Sequence, residues 1–224
     1  MENNYKLLFE KTFMSIDKRA LMYATIAHEG EFRHDGITPY IAHPIRVANF
    51  ITKYKKNAKE VKILRAAAYL HDTLENTSVT YYDLVHRFGS QVASIVLELT
   101  TDEDLKKEIG KARYLEIRMK NMTNWALDVK LCDRLDNLYD TDHSSKEFIN
   151  HYVEESVEII TYLINNRTLT KTHTAIINDM IIRLFDLNPQ DMSKNAILAN
   201  LSARLSELKV SQREYDVYLA RLKK

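Results

Sequence analysis

Glycine and proline are scarce in this chain, with four glycines and three prolines among 224 residues. Average usage of roughly 12% would supply about four times as many. Sandwiches and barrels need a turn roughly every 8–12 residues and draw on these two residue types to make it, so a many-stranded β fold is excluded. The four glycines, at 30, 36, 89 and 110, spell neither G-x-G-x-x-G nor G-x-x-x-x-G-K-S/T, so the common glycine-rich phosphate cradles are absent. An all-α chain of helices joined by short connections is expected.

The chain is 45% hydrophobic and 28% charged, which fits a folded globular protein. At this length roughly 70% of the unfolded surface can be buried, enough for a substantial core without disulfides. Thirty-two basic residues against 31 acidic ones leave a net charge of +1, which argues against a general nucleic-acid or membrane-surface binder. Cys132 is the single cysteine and has no internal partner, as suits a reducing cytoplasm. The first residues show no basic-then-apolar leader and no apolar run approaches 18 residues, so the chain is expected to be cytoplasmic, neither secreted nor membrane-spanning.

Apolar residues recur at helical spacing almost throughout. Asp17 can cap a helix that runs through Ala27, and Pro44 suits the first turn of the next, to about Tyr54. A third is expected from Ala58 to Leu74. Thr80 or Ser78 caps a short helix ending near Phe88-Gly89, and Gln91–Leu99 follows. Leu105–Met119, Thr123–Tyr139 and Glu147–Asn165 are next, then helices over 172–186, 191–208 and 211–222. Residues 1–167 carry the motif-like positions and are expected to form the main domain. The segment 168–224 is expected to be a helical extension, packed on that domain or on a second subunit as a homo-oligomer, because a separate core of that size is marginal.

Chemistry concentrates in three places. In Ala66-Ala67-Ala68-Tyr69-Leu70-His71-Asp72, small and apolar residues carry an adjacent His-Asp pair towards the interior. An unpaired buried carboxylate is costly, and a metal ion removes that cost. Glu75 and Asn76 lie one turn beyond His71 and Asp72. The alternative is a hydrogen-bonded core His-Asp pair beside a solvated Glu75. On the second segment, Trp125–Leu138, a rotation of about 100° per residue puts Lys130, Asp133 and Asn137 in one strip between apolar flanks. That is a good pocket wall, or else a partly exposed helix face. The third segment, His28 to Pro44, is a loop that presents Arg33 and ends with His43 at a helix start, where anions are favoured. His86, His143, His151 and His173 are read as structural or exposed.

Together these segments resemble the HD-domain superfamily, in its guanosine polyphosphate hydrolase branch. That branch includes the hydrolase half of the bacterial stringent-response enzymes and the stand-alone small alarmone hydrolases. The matching text is His28…Arg33-x-Asp35-Gly36-x-Thr38-Pro39-Tyr40-Ile41-x-His43-Pro44-x-x-Val47-Ala48, then Leu70-His71-Asp72-x-x-Glu75-x-Thr77. Phe88-Gly89-x-x-Val92-Ala93, Glu98-Leu99-Thr100 and Val129-Lys130-Leu131-x-Asp133-Arg134-Leu135-Asp136-Asn137-Leu138 follow in order. The resemblance covers about residues 17–165 and implies an HD-type helical bundle followed by the C-terminal extension. It implies that His43, His71, Asp72 and Asp133 ligate one divalent ion, most often Mn2+, a donor set that also suits a first-row transition ion better than magnesium. Glu75 positions and deprotonates the attacking water, with Asn76 beside it. Arg33 and His34 contact the nucleotide, and Lys130 and Asn137 lie near its ribose and phosphates. The implied reaction removes the 3′-pyrophosphate of guanosine tetra- or pentaphosphate, leaving GDP or GTP.

Some positions depart from the family pattern. Asn76 stands where the family usually has aspartate, and an amide can hold a water but cannot take its proton. His34 replaces a common lysine or arginine, and Glu31 a frequent glutamine. Two other readings therefore stand beside the leading one: an HD phosphohydrolase of another nucleotide, and a nucleotide-binding sensor with a weakened active site.

Overall fold

The computed structural model describes residues 14–141, 144–187, 191 and 193–207. Those residues form an all-α protein. Its helices are α1 (Ile16–Ala27), α2 (Ala42–Lys55), α3 (Val61–Leu70), α4 (Thr73–Asn76), α5 (Tyr81–Leu99), α6 (Glu103–Ile109), α7 (Lys111–Asn121), α8 (Asn124–Tyr139), α9 (Lys146–Asn166) and α10 (Lys171–Leu187), with a further helix at 193–207. Among the described residues the only extended pairing is the isolated bridge between Phe32 and Pro39. The expected helix over 211–222, and His143, lie outside the described residues.

The chain divides into two units, one of residues up to 106 together with 122–136, the other of 107–121 together with 137 onward. In the first unit α3 is central, packing against α1, α2 and α5. Leu64 and the run Ala66 to Leu70 are all buried, so α3 is a core helix that keeps only a narrow polar strip, Lys62 and Arg65, towards solvent. The helices it packs against also bury small or branched residues completely, Ala20 and Ala24 on α1 and Val47, Ala48 and Ile51 on α2.

The expected helix over 58–74 is shorter at both ends, Val61–Leu70. Beyond Leu70 the carbonyls are taken by side chains: Thr73 Oγ1 donates to Leu70 O at 2.7 Å. The chain then restarts as the single turn α4, with Asp72 in its N-cap position. In α5, Thr80 and Asp83 form a reciprocal capping box, and Gly89 (φ 82°, ψ 162°) interrupts the helix, so the two expected segments abut across a kink. The helix expected over Leu105–Met119 is divided into α6 and α7, because Gly110 has φ 82°.

The second unit has its own buried residues. α9 packs against α7 and α10; Ile159, Ile160 and Leu163 of α9 and Ile176, Ile177 and Leu184 of α10 are fully buried. Arg167 Nη1 donates to the carbonyls of Met119 (2.9 Å) and Lys120 (2.6 Å) at the end of α7. Leu198, Leu201 and Leu205 of the helix at 193–207 are buried.

Candidate active site

The break after Leu70 leaves His71 buried at the end of the core helix, with 2% of its surface exposed. Its Nδ1 lies 2.8 Å from the carbonyl of Ala68. A carbonyl only accepts, so Nδ1 carries the hydrogen and a neutral ring keeps its lone pair on Nε2. That Nε2 is 3.0 Å from Asp72 Oδ2 and 3.8 Å from Asp133 Oδ1. No group among the described residues completes a hydrogen bond to it.

His43, in the first turn of α2, is arranged in the same way. Its Nδ1 lies 2.6 Å from Asp136 Oδ2, and Arg46 holds both oxygens of that carboxylate, Nε to Oδ1 at 2.8 Å and Nη2 to Oδ2 at 2.9 Å. An ionised carboxylate accepts only, so here too the hydrogen is on Nδ1. His43 Nε2 is turned to Asp133 Oδ1 at 3.2 Å and to Asp72 Oδ2 at 3.8 Å.

Donor atoms of His43, His71 and Asp133 lie within 4.8 Å of one another, and all three residues are buried. Asp72 adjoins them through Oδ2. Burial works against ionising Asp133, but Lys130, followed by the bond from His43, holds its carboxyl well below the usual carboxylate range. Burial likewise opposes Asp72, and the charge of His71 holds it below that range. For His71 burial alone would lower the pKa, but the adjacent charge of Asp72 pushes it up to about 9. Two imidazole nitrogens with their hydrogens directed away, two ionised carboxylates and an orphaned buried nitrogen fit a divalent first-row ion.

Around this cluster the other expected residues fall at different depths. Lys130 Nζ is 2.9 Å from Asp133 Oδ2, so it is engaged with a donor carboxylate. Glu75, exposed on α4, accepts a hydrogen bond from the backbone N–H of Thr101 through one oxygen. Asn76 Nδ2 donates to the Tyr40 hydroxyl at 3.1 Å, and that hydroxyl donates to Asp72 Oδ2 at 2.6 Å. Burial, reinforced by the Asp72 charge, pushes the Tyr40 phenol well above its ordinary pKa, so it remains a donor. The Arg33 guanidinium lies 5.6 Å from the Tyr40 ring centroid. The loop carrying it is fixed by Asp35, whose carboxylate takes the N–H groups of Ile37 and Thr38 and the Thr38 hydroxyl. His34 is exposed on that loop, and Asn137 is half-buried on α8, one turn after Asp133.

Asp136, Arg46, Tyr40 and Thr101 were given no role from sequence. For the first two a signal existed. Asp136 and Arg46 each lie three residues beyond an expected ligand, Asp133 and His43, on the same helix face.

An HD-domain family model matches residues 20–168. The chain is 36% identical over 138 residues to the guanosine-3′,5′-bis(diphosphate) 3′-pyrophosphohydrolase MESH1 of Homo sapiens, covering 61% of this chain and 75% of that protein. It is 30% identical over 203 residues to a GTP pyrophosphokinase of Myxococcus xanthus, covering 87% of this chain but only 25% of that much longer protein. Among solved structures it is similar to one reported as a metazoan ortholog of SpoT that hydrolyzes ppGpp and plays a role in starvation responses. The TM-score is 0.64 at 24% identity, over 80% of this chain and 97% of that one, a likeness that bears on the fold.

Proposed function

Because the chain belongs to the HD-domain family, in its guanosine polyphosphate hydrolase branch, we propose that it hydrolyses the 3′-pyrophosphate of guanosine tetra- or pentaphosphate with Mn2+. The observation that carries this is the buried cluster of His43, His71 and Asp133, adjoined by Asp72, with both histidine Nδ1 atoms already engaged. His43, His71, Asp72 and Asp133 would hold the ion. When bound, such an ion acts as a Lewis acid, easing deprotonation of water and stabilising charge on the attacked phosphate.

The chain's own residues supply the remaining functions. Glu75, steadied on one oxygen by Thr101 N–H, keeps its other oxygen for the water proton. Water adds to the phosphorus bonded to ribose O3′, the O3′–P bond breaks, O3′ takes a proton, and pyrophosphate leaves. Arg33, over the Tyr40 ring, binds the nucleotide with His34 beside it, and Lys130 and Asn137 serve its phosphates and ribose. Residues 1–167 are the catalytic domain and 168–224 its extension, and the reaction takes place in the cytoplasm. No helix among the described residues is long and apolar enough to cross a membrane.

One observation favours a second reading. The Asn76 amide is directed to Tyr40 and can take no proton, as in a nucleotide sensor with weakened turnover. A panel of guanosine tetraphosphate, guanosine pentaphosphate and other nucleotides, assayed with Mn2+, separates the readings. The proposed enzyme releases pyrophosphate from the guanosine polyphosphates, and His71→Ala abolishes it. Turnover confined to other nucleotides contradicts the substrate assignment. A large rise in turnover with Asn76→Asp, at unchanged nucleotide affinity, favours the sensor.

A further inference from the structure

Asp136 is not among the proposed metal donors, yet it is one of the most completely buried carboxylates among the described residues, with 1% of its surface exposed. An Arg–carboxylate pair serving only the fold contributes little net stability, since desolvating the buried carboxylate offsets most of the attraction. This carboxylate does more than pair with Arg46, because its Oδ2 also takes the hydrogen of His43 Nδ1 at 2.6 Å. Arg46 approaches side-on, with Nε and Nη2 on separate oxygens, and so fixes the plane of the carboxylate. The plane in turn fixes the rotation of the imidazole about its ring axis and the side from which Nε2 meets the cluster.

We infer that Asp136, clamped by Arg46, is a positioning residue for His43, and that the pair sets the affinity of the site for a divalent cation. The inference deepens the metal-site reading above and rests on it. α2 supplies both His43 and Arg46, while α8 supplies both Asp133 and Asp136. Each helix therefore contributes one group that faces the ion and one that orients a group on the other helix. Carboxylates bonded to the far nitrogen of a ligating histidine typically matter by 10–100-fold in metal affinity.

The test measures Mn2+ binding by the full chain, through competition with a chromogenic chelator, for the native protein, Asp136→Asn, Arg46→Met and the double variant. Melting in chelator alone is recorded in parallel. Asp136→Asn is expected to weaken Mn2+ binding by about 10–100-fold while the metal-free melting temperature stays close to native. Arg46→Met weakens binding in the same direction, and adding it to Asp136→Asn weakens binding no further, because it acts through Asp136. Should Asp136→Asn fail to fold, Arg46→Met still tests the inference, its side chain being 35% exposed. Native Mn2+ affinity in both single variants, with only the metal-free melting lowered, makes the pair purely structural and overturns the inference. If the native chain itself binds no Mn2+, the metal-site reading fails first.

Discussion

At the residue scale, the site separates a buried, mutually paired cluster from the exposed carboxylate proposed to take the water proton. His43, His71, Asp72 and Asp133 are tied to one another by contacts of 3.0–3.8 Å, whereas Glu75 is exposed and fixed through a backbone N–H. Glu75→Gln should therefore lower kcat by about 10²–10⁴-fold, the usual range for losing a general base, and leave Mn2+ affinity nearly native. A parallel loss of Mn2+ binding would assign Glu75 to the ion instead. The raised pKa of His71 sets a pH dependence. Without metal it is protonated below about 9, so a cation must displace that proton. Apparent Mn2+ affinity is expected to rise about tenfold per pH unit for each proton displaced, from neutral pH up to about 9. In the metal-free chain the sign is opposite. The stabilisation from this raised pKa is complete below the ordinary value of 6.5 and is lost as pH rises through about 9. Titrating chelated and Mn2+-loaded protein across this range checks both directions; a flat affinity contradicts them. The residues of the buried cluster were legible in the sequence as candidates because each sits in a segment of distinctive composition. The Arg46–Asp136 bond was not, because its partners are 90 residues apart and only helix packing joins them.

At the scale of the elements, two breaks determine where side chains go. The end of α3 at Leu70 was misplaced because helical periodicity continues to Leu74. What stops the helix is local competition, with the Thr73 hydroxyl taking the Leu70 carbonyl and His71 Nδ1 donating to that of Ala68. Gly110 was passed over because a lone glycine within a helical pattern is tolerated at about 1 kcal/mol. Its φ of 82° shows that the glycine is required there. Gly89 tests the same idea more sharply. Its φ of 82° and ψ of 162° lie in a region almost exclusive to glycine, and an added Cβ would meet nothing within 4 Å. Gly89→Ala should therefore destabilise by about 1–3 kcal/mol through the backbone alone, measured by urea unfolding. A neutral result would mean that α5 straightens without loss.

For the molecule as a whole, the shortage of glycine and proline acquires a location. Of these seven residues, Gly30, Gly36 and Pro39 lie in the irregular stretch between α1 and α2 that carries Arg33, and Pro44 follows His43 in the first turn of α2. The all-α class was legible because so few turn formers exclude a many-stranded β fold and helical periodicity runs almost throughout. The assembly of the site was legible only as residue types, since His43, His71, Asp72 and Asp133 come from segments far apart in the chain. The central claim is that this assembly removes pyrophosphate from a guanosine polyphosphate. Its most direct test is product identification after incubating the purified chain with guanosine tetraphosphate and Mn2+. GDP and pyrophosphate in equal amounts, both lost on chelation, are predicted; intact nucleotide across several divalent ions, or release of single phosphates, would contradict it.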